Sequence, residues 1–215
     1  MKIFLDTGDV EAIRKACDTG LVDGVTTNPS HIAKTQRKFS DVIEEICSIV
    51  PGPVSVEAVS DTVDGLVEEA VRLASIAPNV VVKIPMTVEG LKAVPILEEQ
   101  KKVMTNVTMI FSSTQSFLAM KAGASFVSIV LSRLDAVANE SDILVEDAVI
   151  IRNNYGFESE IIAGSIKTQN HVLTCLRAGV DIVTMNPGLF FQMFKHPLTT
   201  EGLAQFARDW QKVPK

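Results

Sequence analysis

The sequence predicts a single α/β domain, residues 1 to 215, closed as a (β/α)8 (TIM) barrel with an extra helix at its C-terminal end. Short β-branched runs alternate with longer stretches of helical periodicity from one end of the chain to the other. Eight such runs lie between Gly, Pro, Asn and Asp residues, at 2 to 6, 23 to 27, 54 to 59, 79 to 84, 103 to 110, 125 to 131, 160 to 165 and 181 to 185. An open doubly wound sheet is the competitor, but it customarily carries a glycine-rich phosphate turn after its first strand. Here the first run ends in Asp6-Thr7-Gly8-Asp9, and neither G-x-G-x-x-G nor a P-loop occurs in the chain.

Side chains alternate in direction along a strand, so parity assigns each run an outer and an inner set. The first opposes Ile3 and Leu5 to Phe4 and Asp6. The second ends in Thr26-Thr27-Asn28-Pro29-Ser30, where Pro29 holds Asn28 extended or in a turn and Ser30 is placed to cap a helix. In the third, Val54, Val56 and Ala58 oppose Ser55 and Glu57. Val63, Leu66, Val67, Ala70, Leu73 and Ala74 then recur at helical spacing. The fourth opposes Val80, Val82 and Ile84 to Val81 and Lys83, and the fifth opposes Val107 and Met109 to Asn106 and Thr108. Ser112 and Gln115 form a capping-box signature before the helix carrying Phe117, Leu118 and Met120. The sixth sets Ser128 beside Val130. Beyond the eighth run, helical segments at about 188 to 195 and 199 to 211 exceed what one crossover needs. Leu203, Phe206, Ala207 and Trp210 of the last could pack on a neighbouring subunit. No linker, low-complexity tract or tandem repeat marks a second domain.

With 47% hydrophobic residues the chain can fill one substantial core. Its net charge is −6 and no basic block occurs, which disfavours nucleic acid and anionic membranes as partners. Any phosphate site must therefore be local. Cys17, Cys47 and Cys175 are odd in number and widely spaced, arguing against a disulfide framework and for a reducing compartment. Asp6, Asp9 and Glu11 interrupt any signal-peptide core, and no run approaches the roughly 18 apolar residues of a membrane span. The expected location is cytoplasmic.

Lys83 interrupts the apolar run Val80-Val81-Val82-Lys83-Ile84-Pro85, where a solvated ammonium has no evident place. Either a carboxylate partner stabilises the charge, or burial depresses the pKa from its usual value of about 10.4 and yields the neutral amine that a carbonyl-attacking nucleophile requires. If the apolar sets face the helices, Asp6, Glu57, Lys83, Asn106, Thr108 and Ser128 converge near the strands' C-terminal ends, where barrel active sites form. A structural salt-bridge cluster would use the same residues. A second group, Ser132-Arg133 with Gly164-Ser165-Ile166-Lys167-Thr168, suits a phosphate held by backbone N–H groups and cations, although loop Arg and Lys are commonly just solvated. His31, His171 and His196 have no metal-binding spacing and no nearby Cys pair, so no metal is assigned.

The segments Phe4-Leu5-Asp6-Thr7, Gly24-Val25-Thr26-Thr27-Asn28-Pro29-Ser30, Val82-Lys83-Ile84-Pro85-Met86-Thr87 and Asn106-Val107-Thr108 resemble the small transaldolase family, which includes the fructose-6-phosphate aldolases. The resemblance spans nearly the whole chain. It implies a (β/α)8 barrel, Schiff-base chemistry in the pentose phosphate pathway without cofactor or metal, and a homo-oligomer, a pentamer or decamer. By the same resemblance Lys83 is the nucleophile and Asp6 the acid/base, while Glu57 and Thr108 hold a proton-relaying water. Asn28 and Asn106 bind hydroxyls of a dihydroxyacetone unit, Ser128 lines the pocket, and Arg133, Ser165 and Lys167 grip a sugar phosphate. Glu57 stands where aldolase members tend to carry Gln and so favours group transfer over simple cleavage.

Departures from the family pattern concentrate on one wall. Ile129 replaces a usual Pro, Val130 an aromatic residue, Ser132 a Gly and Lys167 an Arg, and the stretch Gly164 to Gln169 also differs. The expected activity is a transaldolase moving dihydroxyacetone between sugar phosphates. The alternatives are a fructose-6-phosphate aldolase-type lyase and a catalytically silent sugar-phosphate-binding barrel.

Overall fold

The computed structural model describes residues 1–214, within which eight parallel strands close into a barrel in sequence order. They are β1 (Lys2–Asp6), β2 (Gly24–Thr26), β3 (Val54–Glu57), β4 (Val80–Pro85), β5 (Thr105–Ile110), β6 (Phe126–Val130), β7 (Glu160–Ile166) and β8 (Ile182–Met185). β1 pairs with both β2 and β8, which completes the closure. The expected barrel is the one observed, and each expected run matches a strand to within two residues at either end.

The helices run outside it. They are α1 (Val10–Cys17), α2 (Pro29–Thr35), α3 (Phe39–Ile49), α4 (Val63–Ala74), α5 (Val88–Pro95), α6 (Ser113–Lys121), α7 (Leu131–Asp135), α8 (Ser141–Tyr155), α9 (Gln169–Ala178), α10 (Pro187–Gln192) and α11 (Pro197–Trp210). A π-helical turn, Ile96–Lys101, extends α5. Several strand-to-helix turns close on a polar cap: the side chains of Asp9, Thr62, Thr87, Thr168 and Asn186 each accept an N–H from the first turn of the following helix. Such a cap is worth about 1 kcal/mol and fixes where each helix leaves the barrel rim. Two details differ from expectation. Asn28, not Ser30, caps α2, because Pro29 occupies the first helical position and Asn28 Oδ1 accepts from His31 N at 3.0 Å. Ser112 does cap α6, but Gln115 Oε1 accepts from Phe111 N rather than from Ser112, so the box closes one residue early.

Apolar strand faces and the inner helix faces share one continuous core, in which Leu66, Ala70 and Leu73 of α4 are buried as the spacing requires. A second, smaller cluster lies inside the barrel: Phe4, Val81, Phe126, Ile162 and Ile182. Gly24 makes room for it, since a Cβ there would come within 2.6 Å of the Phe4 ring. Above this apolar plug the inner layer turns polar, with Thr26, Ser55, Lys83, Asn106, Ser128 and Thr184 buried together. The plug therefore forms a dry floor for the polar layer.

β5 and β7 both break register near this rim, between Val107 and Ile110 and between Ala163 and Ile166. Met109 and Ser165 adopt the left-handed conformation there, at φ +64° and +58°. Strict alternation places Met109 outward with Val107, but the bulge turns it into the cavity described below. Among the described residues no helix is long and apolar enough to cross a membrane.

Candidate active site

A cavity of about 680 Å³ opens at the C-terminal ends of the strands. Burial and neighbours make Lys83 its chemical centre. The side chain rises from the middle of β4 between Glu57 of β3 and Asn106 of β5, its register partners. It is only 8% exposed. Nζ donates to the Thr27 carbonyl oxygen at 2.9 Å, and among the described residues it forms no ion pair. Burial pushes the Lys83 ammonium below its ordinary pKa, although Asp6 and Glu57 pull it back upward from a distance. A structural salt-bridge lysine would show the opposite: a bonded carboxylate and a raised pKa. The geometry instead favours an amine that loses its proton readily.

Asp6 faces it from β1. Burial alone would raise its carboxyl, but the His31 imidazole, the Lys83 ammonium and the Thr26 hydroxyl together hold it below the usual carboxylate range. Thr26 Oγ1 donates to Asp6 Oδ1 at 3.0 Å and meets Thr184 Oγ1 at 2.7 Å. Asp6 is thus an ionised acceptor at neutral pH. Its stabilising contribution is present above its unfolded pKa and is lost as pH falls through the lower folded value.

Glu57, Thr108, Asn28 and Ser128 line the same cavity, as do Arg133, Ser165 and Lys167 at its far side. Asn106 is different. It is fully buried, donates to Ser55 Oγ at 3.1 Å and accepts from Ser128 Oγ at 2.7 Å, which places it beneath the cavity floor. On the far wall the Ser132 and Ser165 hydroxyls meet at 2.5 Å, and the Arg133 guanidinium reaches the Met109 sulfur at 3.7 Å. The Lys167 backbone N–H donates to His171 Nδ1 at 3.3 Å, and His171 Nε2 lies 3.0 Å from Asp135 Oδ2. That chain ties the β7–α9 turn to α7. Val130 lines the wall with a small aliphatic side chain, leaving more room than an aromatic ring would.

The geometry brings together a depressed-pKa amine, an ionised carboxylate and a far wall bearing two cations. The model of the transaldolase/fructose-6-phosphate aldolase family matches residues 3–215. The chain belongs to that family. Proteins named "Probable transaldolase" from Dictyoglomus turgidum and Geobacter sulfurreducens are 48% and 50% identical to it over 215 residues, covering all of both chains. One of the same name from Aquifex aeolicus is 51% identical, over 100% of this chain and 99% of its own. A solved structure titled a "putative phosphonomutase" from Burkholderia cenocepacia aligns with TM-score 0.62 at 12% identity, covering 96% of this chain and 93% of its own. That last likeness concerns the barrel alone.

Three cavity residues of this family member, His31, Met109 and Thr184, escape sequence reasoning. The sequence shows no metal-binding spacing around His31 and gives it no other role, yet its Nε2 lies 3.4 Å from Asp6 Oδ1. The available signal was its place on the first turn of the helix after Asn28-Pro29. Met109 was hidden by the bulge, for which β5 offers no Gly or Pro as a marker.

Proposed function

We propose that the protein is a transaldolase that carries a dihydroxyacetone unit between sugar phosphates of the pentose phosphate pathway on Lys83. The observation that carries this proposal is the buried Lys83 amine, without an ion-pair partner among the described residues, set opposite Asp6 under one open cavity. In it the amine adds to C2 of a ketose phosphate and water leaves to give the Schiff base, with Glu57 and Thr108 holding the water that shuttles protons. Asp6 takes the proton of the C4 hydroxyl, the C3–C4 bond breaks, and its electron pair passes to the protonated imine. The enamine then adds to an acceptor aldehyde, and hydrolysis frees the amine.

Asn28 and Ser128 hold hydroxyls of the bound unit, and Asn106 acts through Ser128, whose hydroxyl it accepts. Arg133, Ser165 and Lys167 bind the phosphate, Arg133 through its fork and Lys167 as a point charge. No cofactor takes part. Glu57, the residue found in transaldolase-type members, favours transfer.

A fructose-6-phosphate aldolase is the second reading, favoured by the space at Val130, which admits water beside the enamine. The two readings separate when fructose 6-phosphate is supplied with and without erythrose 4-phosphate. Transfer predicts acceptor-dependent formation of sedoheptulose 7-phosphate. Equal consumption of fructose 6-phosphate in both cases would establish the lyase.

A homo-oligomer also belongs to this proposal. No residue of α11 is buried, while Leu198, Leu203, Phe206 and Trp210 are 69%, 62%, 72% and 71% exposed. Such a stripe suits burial against another copy. Phe206→Glu is expected to shift the protein to smaller species in light scattering, and an unchanged mass would remove α11 from the interface.

A further inference from the structure

The far wall of the large cavity is built from two segments distant in sequence: Ser132 and Arg133 on α7, and Ser165 and Lys167 on the turn from β7 to α9. Among the described residues the Arg133 guanidinium hydrogen-bonds only to the Met109 sulfur, and the Lys167 ammonium forms no ion pair. The grip of the two cations on an anion therefore depends on how the segments are held together. One tie is the contact between the Ser132 and Ser165 hydroxyls. Ser165 sits in the left-handed region at φ +58°, an unfavourable conformation for a residue with a Cβ, so the turn needs a second fixed point beyond it.

His171 supplies that point. It lies on the first turn of α9, where Thr168 Oγ1 accepts its backbone N–H at 3.2 Å and its own Nδ1 accepts from Lys167 N at 3.3 Å. The arrangement is a capping box moved back by one residue, with an imidazole in place of the carboxylate or amide. A neutral imidazole that accepts at Nδ1 carries its hydrogen on Nε2, and Nε2 faces Asp135 Oδ2 at 3.0 Å. Asp135 ends α7, the short helix that also carries Ser132 and Arg133. His171 itself does not line the cavity.

We propose that His171, oriented by Asp135, is the positioning residue that sets this site's selectivity for phosphorylated sugars. This rests on the reading of Arg133, Ser165 and Lys167 as phosphate ligands given above. Lys167 is a point charge on a flexible stem, without the rigid fork of an arginine. Its backbone must be fixed if the ammonium is to meet Arg133 across one phosphate. The imidazole fixes it by accepting the Lys167 N–H and by joining that turn to α7.

Two substitutions separate the Nδ1 acceptor from the ring. His171→Phe keeps a planar ring and loses both nitrogens, whereas His171→Asn keeps an acceptor near the position of Nδ1 without reaching Asp135. His171→Phe is expected to raise KM for fructose 6-phosphate about tenfold with kcat within about twofold of wild type, as for a lost hydrogen bond felt through ground-state binding. The dissociation constant of inorganic phosphate, from phosphorus NMR titration, should rise by the same factor. With unphosphorylated fructose as donor, kcat/KM should not change. His171→Asn should recover most of the loss, and Asp135→Ala, at the exposed end of α7, should cost about threefold. A general loosening of the barrel would instead weaken both sugars alike. Parallel losses with fructose and fructose 6-phosphate, or wild-type phosphate affinity in both His171→Phe and Asp135→Ala, overturn the proposal. A wild-type protein that bound phosphate but trapped no imine at Lys83 would overturn the transaldolase reading, while the phosphate titrations still decided the role of His171.

Discussion

Lys83→Met is expected to abolish turnover, by about 10⁴-fold or more, while melting at or above the wild-type temperature. The two effects share one cause. In the folded protein the amine is withdrawn from water and among the described residues has only the Thr27 carbonyl as partner, so its charged form is disfavoured relative to the unfolded chain. Methionine fills a similar volume without that penalty, although the Thr27 carbonyl loses its donor. The sign of the pH dependence follows from linkage. The unfolded chain binds the Lys83 proton more tightly, so wild-type stability rises as pH increases from the lowered folded pKa toward about 10.4. Lys83→Met lacks that rise. Its advantage should be largest near neutrality and shrink in alkaline solution. Calorimetry at several pH values checks this, and a variant less stable than wild type by a constant margin would show that Lys83 supports the fold.

Asp6→Asn is expected to slow carbon–carbon cleavage by about 10²- to 10⁴-fold, while imine formation at Lys83 keeps near its wild-type rate. The amide retains the shape and the Thr26 contact, but it cannot accept the C4 hydroxyl proton. The substitution also removes a negative charge that raises the Lys83 pKa, so the amine should be at least as readily neutral. Single-turnover trapping with borohydride separates the steps: imine accumulates before cleavage. Equal slowing of both would move Asp6 from proton transfer to carbonyl activation.

Most of this architecture was legible because barrel geometry makes parity informative. Ser55, Glu57, Lys83, Asn106, Thr108 and Ser128 each alternate with apolar neighbours that must face the helices, so their convergence follows from pleating alone. Parity failed at Met109, where a left-handed residue resets the phase of β5 without a glycine to announce it. The depth of Asn106 was also beyond it. Alternation tells inward from outward, but the stagger between β5 and β6 decides whether an inward residue reaches the cavity or lies under Ser128. His31 was invisible for another reason: it sits on a helix, and only the placement of α2 over β1 brings it to Asp6. The altered wall of Val130, Ser132 and Lys167 could be read as a set of departures, whereas the contact between Ser132 and Ser165 required coordinates.

The central claim is that the Lys83 amine forms a covalent bond to the substrate. Incubating the protein with fructose 6-phosphate and sodium borohydride, then mapping tryptic peptides by mass spectrometry, measures it directly. The predicted result is one reduced adduct on Lys83, absent from Lys83→Met, with activity lost in proportion to labelling. Full activity after exhaustive treatment, or an adduct confined to another lysine such as Lys167, would contradict it.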